Sequence, residues 1–205
     1  LLSVTQSSIA QIESLRFESI GVEQGLANIT TSVLQDSKGY IWIGTDDGLN
    51  KYDGYSFTKY RYDPLDSNSL AQNWIYFVWE DKQGTIWVGT EEGLCKFDRA
   101  TEKFTRYKPL PDASFNDPNI CAINEDNSGW MWVGNTSGGL CRFNRKTGKF
   151  VEENIKLGFA GTHALISSIH VDHEGTLWIS NTGSLHSLTL TSANKSEPSP
   201  VNIKQ

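Results

Sequence analysis

The sequence predicts an all-β fold, a β-propeller segment of four four-stranded blades of about 45 residues each. Three observations carry this prediction. The stretch KGYIWIGTDDGL at 38–49 recurs as QGTIWVGTEEGL at 83–94, SGWMWVGNTSGGL at 128–140 and EGTLWISNTGSL at 174–185. Trp42, Trp87, Trp132 and Trp178 are spaced by 45, 45 and 46 residues, with Asp36, Asp81, Asp126 and Asp172 six positions ahead and Gly39, Gly84, Gly129 and Gly175 three ahead. The segments between these turns are short and rich in β-branched and aromatic residues, whereas helical repeats of similar length need long stripes of 3.6-residue period.

Each repeat divides by its turn chemistry. ITTSVLQ, WIYFVWE, ICAINE and ISSIHV read as inner strands. The D-x-x-G that follows is a hairpin turn, in which the Asp carboxylate can accept nearby backbone N–H groups and the Gly takes a positive φ. YIWIGT and its equivalents come next, apolar on consecutive positions and so covered on both faces. Their tryptophans act as spacers between stacked blades, while Gly44, Gly89 and Gly134 let a neighbour approach closely. A second hairpin at Gly48, Gly93 or Gly139 leads to LNKYD, LCKFD or LCRFN, and SFTKY, KFTRY and KFVEE supply outer strands whose alternating charges suit an exposed edge. Residues 61–73, 108–119 and 152–165 then run from an outer strand to the next inner one.

The blades fall near 28–60, 73–107, 118–152 and 164–190, inside a repeat region spanning 15–190. Residues 1–14 read as a leader and 191–205 as a linker or the start of a further blade. LRFESI at 15–20 looks like a lone outer strand, of the kind that completes the last blade of a closed propeller. The fourth copy departs from the pattern, with Ser180 and Ser184 where glycines stood before. Four blades are the lower bound for closure, so the chain is either a minimal ring or an arc of a larger one, and the arc is the expectation.

The 205 residues are 38% hydrophobic, enough for a core, and their net charge of -6 is dispersed, so no basic stripe exists for nucleic acid. No segment approaches the roughly 18 apolar residues that cross a bilayer. LLSVTQSSIA lacks an initiator Met and the charged start of a signal peptide, as expected of a processed or trimmed product. Cys95, Cys121 and Cys141 form no CxxC pair, and Cys95 and Cys141 follow the same GL, which assigns them one packing slot and no zinc or disulfide role. The sequons at Asn28, Asn135 and Asn194 matter only after passage through a eukaryotic secretory route.

The pattern D-x-x-G-x-[ILM]-W-[IV]-G-[TN]-x-x-G-L, in DSKGYIWIGTDDGLNKYDGYSF and DKQGTIWVGTEEGLCKFD, closely resembles the two-component regulator propeller repeat, and FESIGVEQGLANITTSVLQD resembles the opening of such regions. The likeness covers roughly 15–190. It implies an N-terminal portion of the periplasmic sensor region of a bacterial receptor. In such receptors a membrane helix outside this chain leads to a histidine kinase, hybrid kinase or diguanylate cyclase output.

Rival chemistries have little to stand on. The sialidase Asp box separates its Asp and Gly by two positions, and here the separation is three. Asp46 with Asp47, and Glu91 with Glu92, sit at matching hairpin tips, where solvated acids are ordinary. His170, Asp172 and His173 suggest a metal site, but Asp172 belongs to a D-x-x-G turn and His173 points elsewhere than His170. No nucleotide or nucleophile-elbow motif occurs. The expectation is therefore a ligand-sensing module without catalytic residues, metal or cofactor, with a protein-interaction scaffold as first rival and a carbohydrate-active hydrolase as second. Open blade faces would self-associate. A carbohydrate or other small polar ligand would touch the ends of the long loops, at Asn28, Asn73, Trp74, Asn119 and His163, where amides and imidazole stand beside an aromatic plane.

Overall fold

The computed structural model describes residues 18–27, 29–109, 115, 117–152 and 165–189. Among the described residues, a short 3-10 turn at Val22–Gln24 is followed by fifteen strands in antiparallel sheets. The first sheet joins β1 (Thr30–Gln35), β2 (Ile41–Thr45), β3 (Gly48–Tyr52) and β4 (Phe57–Tyr60) in that order. The second joins β5 (Ile75–Glu80), β6 (Ile86–Thr90), β7 (Gly93–Asp98) and β8 (Lys103–Tyr107), and the third β9 (Ile120–Glu125), β10 (Met131–Asn135), β11 (Leu140–Asn144) and β12 (Lys149–Glu152). In the fourth, β13 (Ile166–Val171), β14 (Thr176–Asn181) and β15 (Ser184–Thr189) are the described strands. The described strands of the four sheets run over 30–60, 75–107, 120–152 and 166–189. Of the expected strand at 15–20, Glu18, Ser19 and Ile20 are described and are not in a strand. The leader 1–14 and the segment 191–205 lie outside the described residues.

Each inner strand carries one bulge, at Thr31, Tyr76, Cys121 and Ser167, where the register shifts against the second strand. The D-x-x-G turns form as their chemistry requires, with φ of 89°, 79°, 86° and 85° at Gly39, Gly84, Gly129 and Gly175. The second hairpin is less uniform. Gly48 and Gly93 hold φ of 108° and 124°, but in the third blade the positive φ of 83° falls on Gly138, not on the expected Gly139, because that turn is one residue longer. In the fourth blade it moves to Gly183, which frees the next position for Ser184.

Core packing lies between sheets. Trp42 meets Phe97 of the next blade edge-on at 5.0 Å, and Trp87 meets Phe143 at 5.5 Å, geometries that favour the ring quadrupoles. Trp132 packs with Leu188, which stands where those phenylalanines stood. The glycine after each tryptophan is required by the neighbour. A Cβ on Gly44 would lie 2.7 Å from Ile75 Cγ2, on Gly89 2.3 Å from the Ile120 carbonyl, and on Gly134 2.6 Å from Ile166 Cγ2. Leu70 and Phe115, from the interblade loops, plug the first two junctions.

The end faces are open. Val33 on β1 is 68% exposed, whereas its equivalents Val78, Ile123 and Ile169 are covered by the preceding blade at 5% or less. At the other end Leu185 is 65% exposed, against 0% for Leu49 and Leu94. The four sheets therefore form an arc, and the closed four-bladed ring is ruled out for this structure.

Candidate functional site

Every blade is locked by one device. The second oxygen of each turn aspartate accepts the indole N–H of the tryptophan six residues on, at 2.8 Å for Asp36 and Trp42, 2.9 Å for Asp81 and Trp87, 2.9 Å for Asp126 and Trp132, and 2.8 Å for Asp172 and Trp178. The first oxygen accepts two backbone amides of the turn, as Asp36 does from Lys38 and Tyr40 at 2.9 Å each. Asp172 is thus fully engaged in its hairpin, and His173 stands in solvent beside Glu174.

Two arginines extend this device across blades. Arg99 reaches back to Asp36 at 2.7 Å and to Glu80 at 2.9 Å, and Glu80 accepts both the amide and the hydroxyl of Ser37 on the first blade. Arg145 repeats the arrangement one junction later, with Asp81 at 2.9 Å and Glu125 at 3.0 Å. Burial alone would raise the pKa of Asp36 and Asp81, but the indole, guanidinium and amide donors outweigh it and hold both carboxyls below their ordinary value. The sequence reading missed these bridges. Their one signal was the dipeptide Asp98–Arg99 and its counterpart Asn144–Arg145 after the third strand.

The residues expected to touch a ligand fare differently from one another. Asn28 and His163 lie outside the described residues. The Asn73 carbonyl accepts the Gly48 amide at 2.8 Å and its side-chain oxygen accepts the Tyr62 amide at 2.8 Å, so it ties the 61–73 loop to a hairpin. Asn119 does similar work, accepting from the Thr136 amide and donating its own amide groups to Asp117. Trp74 is different. Its ring lies 6.3 Å from Tyr76, and its buried indole N–H has no protein acceptor. The acids at the hairpin tips are engaged with the loops above them, Asp47 with Arg61 and Glu92 with Lys108. The Asn135 sequon is closed, since that side chain is 1% exposed and bonded to Gly139 and Asp117.

Cys95 and Cys141 occupy the same buried slot in successive blades, as expected. Burial pushes Cys95 to about 12, and burial with the nearby Asp117 charge does the same for Cys121.

A cleft of about 420 Å3 opens on the opposite face, the face of the D-x-x-G turns, between the second and third blades. Gln83, Lys96, Ser128, Trp130, Asn144 and Lys146 line it over the Trp87 ring. Its volume is that of a small-molecule site.

Tryptophan-anchored sheets stacked on one another as an open arc define a β-propeller segment. The family model of the two-component regulator propeller matches residues 24–47. It is 41% identical over 63 residues to Histidine kinase P4 of Formosa agariphila, a stretch covering 30% of this chain and 5% of that protein. Among solved structures it is similar to the extracellular domain of a hybrid two component system of B. thetaiotaomicron, at 25% identity and a TM-score of 0.70, over 85% of this chain and 26% of that one. Virginiamycin B lyase of Staphylococcus aureus shares the fold at 15% identity and a TM-score of 0.61, over 85% of this chain and 54% of the lyase. The chain thus spans only part of each relative.

Proposed function

We propose that this chain is a non-catalytic, ligand-sensing propeller segment of a bacterial transmembrane receptor, on the extracytoplasmic side of the membrane. The observation that carries the reading is the repeat itself, matched at 24–47 and shared with a histidine kinase and with the extracellular domain of a two-component system. Among the acids, Asp36 and Asp81 serve indoles and arginines, and Asp47 and Glu92 serve loop cations, so these four carboxylates have structural partners. The ligand is a carbohydrate or similar polar molecule that stacks on the Trp74 ring. The open end faces join this arc to further blades or to a second copy.

The test uses the full-length receptor and its transcriptional response to polysaccharide digests. Trp74→Ala is expected to abolish the response, while Lys38→Ala and Glu174→Ala, on exposed turns of the opposite face, leave it intact. An undiminished response in Trp74→Ala removes the ligand from this face.

A further inference from the structure

The first and second junctions are built from equivalent residues, yet only one of them is filled by the protein's own carboxylate. At the first junction Lys51, paired across the sheet with Trp42, lies 4.5 Å over the Tyr40 ring and meets the Glu102 carboxylate of the next blade at 3.0 Å. Glu102 reaches that seat from a left-handed backbone conformation, φ 55°, which a non-glycine residue rarely adopts. At the second junction Lys96 takes the place of Lys51, paired with Trp87, and Thr85 takes the place of Tyr40. Glu102 stands two residues before Phe104, which pairs with Phe97. The same position before Phe150, which pairs with Phe143, is Gly148, also left-handed at φ 66°. The lysine is kept and the carboxylate and the aromatic ring are gone; a Cβ at Gly148 would lie 2.7 Å from the Tyr107 ring, outside the cleft lining, and the cleft of about 420 Å3 lies beside Lys96.

From this difference we infer that the cleft between the second and third blades binds a small carboxylated molecule, whose carboxylate pairs with Lys96 as Glu102 pairs with Lys51. Lys146 on an exposed turn adds a second cation, and Gln83, Ser128 and Asn144 offer amide and hydroxyl groups for the rest of the ligand. The acids nearby do not occupy the seat. Asp81 is held by Trp87 and Arg145, Glu125 by Arg145, and Asp98 turns its carboxylate to the Ala100 and Thr101 amides. Trp130 walls the cleft with Arg142 stacked 4.5 Å behind it, which leaves a flat apolar side for carbon atoms. This site is on the other face from Trp74 and stands independently of the reading made for that residue.

The test is calorimetric titration of the full chain with glutarate, a plain dicarboxylate, and with glucuronate, a hydroxylated acid, using glucose as the uncharged control. At least one acid is expected to bind with a 1:1 stoichiometry below about 10 mM, with no matching signal from glucose. Whichever acid binds identifies the source of the carboxylate. Lys96→Met, which keeps the aliphatic stem, is expected to weaken that binding about tenfold or more, and Lys96→Arg to preserve it within a few-fold. Lys146→Met, on the exposed turn, is the second variant and is expected to weaken binding by a smaller factor. Absence of saturable binding by both acids, equal binding of glucose, or unchanged affinity in folded Lys96→Met overturns the inference. If Lys96→Met fails to fold, unchanged affinity in Lys146→Met overturns it instead.

Discussion

Trp132 and Trp178 hold the same place in successive blades and donate the same indole hydrogen bond, at 2.9 and 2.8 Å. One is 1% exposed and the other 38%. Their difference separates two kinds of information in the chain. The clamp and its hairpin arise within about ten residues and form whether or not a neighbour is present. Burial comes from the next blade, which covers Trp132 with Ile166, Leu177 and Leu188. The junctions repeat the lesson: Arg99 and Arg145 tie the first two, while the third relies on the Asn124 side-chain amide donating to the Ile169 carbonyl at 2.9 Å.

The largest expected effect breaks this comparison at the tryptophans. Trp87→Ala removes a fully covered ring and should cost about 3–5 kcal/mol in urea unfolding. Trp178→Ala loses the same clamp with less buried area and should cost about 1–2 kcal/mol. Equal losses would mean that the clamp, and not the neighbour, supplies the stability.

Next come the bridging arginines. Arg99→Ala leaves the Asp36 carboxylate, 0% exposed, without its cation and should cost about 3 kcal/mol. Arg61→Ala, which removes the exposed partner of Asp47, should cost less than about 1 kcal/mol. Asp36 and Asp81 also set an acid limit. Their folded pKa values lie below the ordinary aspartate value of 3.8, so their contribution is fully present above that pH and is lost as pH falls through the folded values. Urea midpoints measured from pH 6 downward should stay flat to about pH 4 and then fall, and Arg99→Ala should shrink that fall.

The last comparison concerns the position two residues after each tryptophan. Gly134→Ala forces a Cβ against Ile166 and should cost about 1–3 kcal/mol. Ser180→Ala, at the equivalent position of the last blade, touches only the exposed Ser167 hydroxyl and should stay within about 0.5 kcal/mol. A large loss in Ser180→Ala would place a neighbour against that face.

Much of this was legible in the sequence, because a hairpin turn is specified by residues that touch one another. The Asp and Gly positions of the D-x-x-G turns and the close approach at Gly44, Gly89 and Gly134 all belong to that class. The arginine bridges were not legible, since Arg99 and Arg145 meet aspartates more than sixty residues away and look like ordinary turn charges in the sequence. Gly139 misled for a local reason, the extra residue that transfers the positive φ to Gly138. Of the asparagines read as ligand groups, Asn73 accepts the Tyr62 amide with its side chain and Asn119 donates its side-chain amide to Asp117. The cleft was invisible because its lining comes from two blades, with Lys96 on one and Trp130 and Lys146 on the other, residues far apart in the chain.

The central claim is that a blade folds from its own sequence while its neighbour supplies its cover. It is tested most directly by fluorine NMR of the chain labelled with fluorotryptophan, with resonances assigned by single Trp→Phe replacements. The solvent isotope shift between H2O and D2O reads the exposure of each ring. At the lowest workable concentration Trp42, Trp87 and Trp132 should show almost none and Trp178 a clear shift, diminishing as concentration rises and end faces meet. A Trp178 resonance as shielded as that of Trp132 in the dilute monomer would contradict the open arc, and with it the separation of local clamp from neighbour-made burial.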